Sequence, residues 1–136
     1  MDMEELSKSQ YALMELLGET LARIHDANVS MGDSKPENFL SKDRELYVLD
    51  LEQGGKRKDY AWDIAELLFY TGHYSQSSIP TKGLTEMVQA FQHGYLSVGD
   101  RTELRRAASI KYMRVFSFWT PAPILLEISK MLRKTN

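Results

Sequence analysis

The side chains of this chain that could do chemistry are carboxylates, amides and a few imidazoles, because its 136 residues include no cysteine. That removes disulfides, thiol nucleophiles and cysteine-ligated zinc, and leaves metal binding to oxygen donors and three histidines. Oxygen donors favour a hard cation such as magnesium. They concentrate in three places: Gly32-Asp33-Ser34-Lys35-Pro36-Glu37-Asn38, Asp50-Leu51-Glu52 and Asp59-Tyr60-Ala61-Trp62-Asp63. Each has a bland alternative. The first is a polar turn stiffened by Pro36, Asp50 a turn aspartate ending a strand, and Asp63 a carboxylate favoured by the dipole at a helix start. An Asp-x-x-x-x-Asn spacing alone also arises readily by chance in a polar loop. His73 and His93 have no partner at ligand spacing and read as ordinary histidines, and His25 reads as packing at the end of a helix.

Taken in order, the three segments resemble the C-terminal lobe of a protein-kinase-like phosphotransferase, over residues 11–71. In that family Asp, then Lys-Pro-Glu, then Asn recur at fixed intervals in the catalytic loop. The resemblance implies that Asp33 orients the attacking hydroxyl and accepts its proton, and that Asn38 binds magnesium bridging the phosphates of ATP. It places Lys35 where a cation offsets charge building on the transferred phosphoryl group. It makes Asp50 the second magnesium ligand, with Glu52 as an additional carboxylate near the metal. Asp63 would be a buried anchor holding the catalytic loop from the central helix.

The departures from the pattern are informative. Asp50-Leu51-Glu52 stands where protein kinases carry Asp-Phe-Gly, and no Ala-Pro-Glu lies between Asp50 and Asp63, which are thirteen positions apart. A long activation segment is therefore not expected. The chain looks more like the atypical branch: RIO kinases, the kinase of the tRNA threonylcarbamoylation complex, and the aminoglycoside and choline kinases. Catalytic loops of that branch commonly read His-Gly-Asp, whereas this chain has Met31-Gly32-Asp33. Lys35-Pro36-Glu37 looks like serine/threonine kinases and favours a protein acceptor, while Asp50-Leu51-Glu52 favours a small molecule. A rival reading is a pseudokinase-like scaffold that binds a protein or tRNA-modification partner without turning over ATP.

These residues need elements to position them. Apolar residues at three- and four-residue spacing predict an amphipathic helix over 9–28, and Gly32 and Pro36 break it into a structured loop over 29–40. Short apolar runs at 38–40 and 46–49 predict a small β-hairpin with 41–45 between them. A turn at 54–58 precedes a strongly apolar helix over 60–70, expected to be the buried central one. Further helices are predicted at 84–97, 101–118 and 123–133. The expected fold class is α+β, mostly α: a helical bundle with a hairpin beside the catalytic loop, as a single domain over 1–136.

Composition bounds the rest. With 43% hydrophobic and 26% charged residues the chain can bury a core. No stretch long enough to span a membrane is free of charge and the first residues are acidic, so neither a membrane span nor a signal peptide is expected, and the location expected is cytoplasmic. A net charge of −2 gives no global attraction to nucleic acid. Arg101, Arg105, Arg106, Lys111 and Arg114 could form a basic face for RNA or an acidic partner. On a single helix over 101–118, however, Lys111 leaves the stripe, so a solvated helix is the expectation and nucleic acid is not favoured. No Gly-x-Gly-x-x-Gly occurs, and only 32 residues precede Asp33. The ATP-gripping N-terminal lobe is thus expected on another segment or chain as a partner, and the isolated chain is expected to bind ATP weakly or not at all and to expose apolar surface.

Overall fold

A computed structural model describes residues 3–42, 45–48, 59–73 and 78–136. Its first helix, α1 (Met3–Asp26), turns Met14, Leu17, Leu21 and Ala22 into the core. It starts earlier than the apolar period alone predicts. It ends in a Schellman turn: Asn28, at φ 63, donates its N–H to the His25 carbonyl at 2.9 Å, and Val29 donates to Ile24 at 3.2 Å. The chain then crosses the loop to a short 3-10 turn at Pro36–Asn38 and an antiparallel hairpin, β1 (Phe39–Lys42) with β2 (Glu45–Val48). Phe39 pairs with Val48 and Lys42 with Glu45, so the strands run farther toward the turn than the apolar runs suggest. Phe39, Leu46 and Val48 pack against the core. Asp50, Glu52 and the turn predicted at 54–58 lie outside the described residues.

The central helix is α2 (Tyr60–His73). Ala61, Ile64, Ala65, Leu67, Leu68 and Phe69 are all fully buried, as expected of a helix covered on every side. Asp59 caps it, accepting from the Trp62 amide at 3.1 Å. Thr81 caps α3 (Lys82–Leu96) in the same way through the Leu84 amide. Helices α1 and α3 pack backbone against backbone. A Cβ on Gly94 would overlap the Glu15 carbonyl, and one on Gly18 would overlap that of Phe91.

The single helix predicted over 101–118 is two. After α4 (Arg101–Arg106) the chain turns through Ala107 and Ala108, and an extended Ser109 starts α5 (Ile110–Phe116), its hydroxyl accepting from the Lys111 amide. The turn lets Leu104, Ala107 and Ala108 stay buried together with Tyr112 and Phe116. Pro121 then precedes α6 (Ala122–Arg133), which seats Ile124, Ile128 and Leu132 in the same core. The result is a mostly helical α+β fold. Among the described residues no helix is long and apolar enough to cross a membrane.

Candidate active site

The loop after α1 is held from below by two carboxylates of α2. Asp63, with no exposed surface, accepts from the backbone N–H of Met31 at 2.8 Å through Oδ2 and from that of Gly32 at 3.0 Å through Oδ1. One turn along, Glu66 accepts from the Ser34 backbone N–H at 2.6 Å, while the Ser34 hydroxyl donates to the Asp63 carbonyl at 2.6 Å. Trp62 adds a bond from its indole N–H to the Gly32 carbonyl at 3.0 Å. Met31, Gly32 and Ser34, on either side of Asp33, are thereby fixed. Gly32 sits at φ 76, a left-handed conformation that a Cβ would strain.

His25 joins this frame from α1. It is buried, not merely packed at a helix end: Nε2 lies 2.8 Å from Asp63 Oδ2 and Nδ1 lies 2.7 Å from the Tyr95 hydroxyl on α3. Met31, at the position where the loops of the resemblance carry histidine, is itself fully buried and contributes its backbone N–H to Asp63.

Above the frame sit the residues singled out by spacing. Asn38 donates its side-chain amide to the Asp33 carbonyl at 3.0 Å, which closes the loop and leaves the amide oxygen for another partner. The Asp33 side chain is about one-third exposed, yet its Oδ1 is occluded and receives no hydrogen bond among the described residues. Its nearest cation is the Lys35 ammonium, 3.8 Å away, too long for a hydrogen bond but close enough for charge to act. The Asp33 charge raises the Lys35 pKa against an opposing effect of burial. Lys35 also lies 5.6 Å from the centre of the Tyr70 ring.

Burial pushes the Glu66 carboxyl up to about 7, with the Asp33 charge adding to it and the Ser34 hydrogen bonds and Lys35 opposing. It therefore titrates within reach of neutral pH beneath the loop. The structure thus brings Asp33, Lys35 and Asn38 together over Asp63. The metal-ligand pair of the resemblance is seen only in part, Asn38 being described and Asp50 and Glu52 lying outside. Among the described residues no three carboxylates or histidines are placed to hold a metal ion together. The Asn38 amide oxygen and Asp33 Oδ1, which receives no hydrogen bond among the described residues, are oxygen donors of the kind that suits a hard cation.

Sequence reasoning assigned no role to Glu66, Trp62 or Tyr95. Glu66 had one readable signal, its position three residues after Asp63 on a helix too apolar to leave a carboxylate there without a partner. His25 continues the stripe of Leu17 and Leu21 at four-residue spacing, which also marks a buried position. No protein-family model, curated protein or solved structure matches this chain.

Proposed function

We propose that this chain is the C-terminal lobe of an ATP-dependent phosphotransferase of the protein-kinase-like kind, with Asp33 as the catalytic base. The observation that carries the reading is the loop geometry: an aspartate with a shielded, donorless carboxylate oxygen, tied through its own carbonyl to an asparagine amide five residues on. A polar turn without chemistry has no need of two buried carboxylates to hold it.

In this reading an acceptor hydroxyl sits against Asp33, its oxygen bonds to the γ-phosphorus of ATP as the bond to the β-phosphate oxygen breaks, and the proton passes to the Asp33 carboxylate. ADP leaves. Lys35, already held in its charged form by Asp33, offsets charge on the transferred group. Asn38, with Asp50 and Glu52, would hold magnesium, which when bound neutralises the phosphates. The frame of Asp63, Glu66 and His25 keeps Asp33 and Asn38 in register.

Calorimetric titration with magnesium and ATP, of the chain alone and with an N-terminal lobe supplied by any segment encoded beside it, tests this. Magnesium-dependent binding that strengthens with the added lobe is the expected result. No nucleotide binding in either arm moves the assignment to a scaffold that binds a protein partner.

A further inference from the structure

The break between α4 and α5 brings a second group of side chains together around a hollow. Residues 101–136 hold eight lysines and arginines against two acidic residues, whereas residues 1–100 hold nine against seventeen. A chain of net charge −2 thus ends in a strongly positive quarter. The turn at Ala107–Ser109 folds α5 back so that Arg105, Arg106, Ser109, Lys111, Tyr112 and, from α6, Arg133 line one hollow of about 380 Å³. The helical-wheel objection to Lys111 disappears, because it belongs to a different helix from Arg105.

The charges in this hollow are poorly compensated. Among the described residues only Arg106 has a carboxylate partner, Glu103 of its own helix at 3.0 Å. Arg105 gives its Nε–H to the Thr135 carbonyl at 2.8 Å, which steadies the side chain and leaves its terminal nitrogens available. The Lys111 ammonium rests 4.8 Å from the centre of the Tyr112 ring, whose hydroxyl is spent on Asp59. Four cations around one hollow repel each other, and a compact anion of charge −2 relieves that repulsion.

We propose that this hollow binds a phosphoserine or phosphothreonine side chain of a polypeptide. Three guanidinium groups offer the planar forks that match phosphate oxygens, and Ser109 adds a hydroxyl. A nucleic acid fits less well. Its backbone asks for an extended track and its bases for stacking faces, yet the exposed aromatics Phe118 and Trp119 are not among the lining residues, and Trp119 already stacks on Tyr70. The site is independent of the phosphotransferase reading and survives its failure.

The test is fluorescence anisotropy with a labelled peptide carrying one phosphoserine, its unphosphorylated twin, and a single-stranded RNA as competitor, at physiological salt. Wild-type chain is expected to prefer the phosphorylated peptide by about tenfold or more. Lys111→Gln combined with Arg133→Gln removes the preference, whereas Lys82→Gln on α3 keeps it. If the double variant melts early, Arg133→Lys is read instead; it keeps the charge but not the fork, and weaker binding is expected. No preference in the wild type, a preference retained in the folded double variant, or RNA displacing the peptide at equal concentration overturns the proposal.

Discussion

His25 and Asp63, 38 residues apart, meet at 2.8 Å beneath the loop, and the carboxylate oxygen that faces the imidazole also accepts from the Met31 backbone. One buried group thus ties α1, the loop and α2 together. Its removal should be felt across the whole fold. Asp63→Ala would strand the Met31 and Gly32 amides and the His25 ring away from water, and stability is expected to fall by about 3 kcal/mol. Thermal or urea melting reads this directly, and an unchanged midpoint would remove Asp63 from its place as the anchor.

Asp33→Asn leaves the frame intact, because the loop is held through backbone groups and not through the Asp33 carboxylate. Melting should change by less than about 0.5 kcal/mol. On the phosphotransferase reading, phosphoryl transfer by the chain supplied with an N-terminal lobe should drop by about a hundredfold or more, as expected for loss of a general base. Full activity in this variant would show that another group takes the proton.

Glu66 gives stability a pH dependence of defined sign. Its folded pKa of about 7 lies above the ordinary value of 4.5, so the folded state holds the proton more tightly than the unfolded chain. The contribution is fully present below about pH 4.5 and is lost as pH rises through about 7. Glu66→Gln keeps an oxygen for the Ser34 amide and removes the titration. We expect the variant to exceed wild type by about 2 kcal/mol at pH 8 and to match it near pH 4.5. Parallel stability curves across that range would be inconsistent with a buried, titrating carboxyl.

Gly94→Ala should destabilise the chain by about 1 to 3 kcal/mol, since the new methyl meets the Glu15 backbone and only a shift of α1 from α3 can accommodate it. Gly83→Ala, in open surroundings at the start of α3, serves as the control and should be neutral or slightly stabilising. Equal melting temperatures for both variants would contradict the close approach.

Much of this arrangement could be read from the residues. The helices followed from apolar spacing, because each buries one stripe, and the loop followed from Gly32 and Pro36 interrupting it. The strand ends were less legible: Ser41, Lys42 and Glu45 carry no apolar signal, and it is pairing with the facing strand that extends the hairpin over them. The break at Ala107–Ser109 contains neither glycine nor proline, and Ser109 as a cap was its sole mark. The partnership of His25 with Tyr95 spans 70 residues, and that of Ser34 with Glu66 spans 32. Local pattern cannot supply such pairs, since they depend on how helices are rotated against one another.

That rotation is set by the two glycines between α1 and α3. Gly18 and His25 are seven residues apart, two turns of helix, so they point in nearly the same direction. Gly18 is seated on the backbone between Phe91 and Tyr95, and His25 reaches the hydroxyl of that same Tyr95. The seam therefore works as a keyway that sets the angular phase of α1. An insertion of one residue between Gly18 and His25 would turn the imidazole by about 100° while leaving the composition and length of the helix almost untouched. The spacing of these two residues, more than the identity of those between them, is what carries the geometry of α1 into the loop.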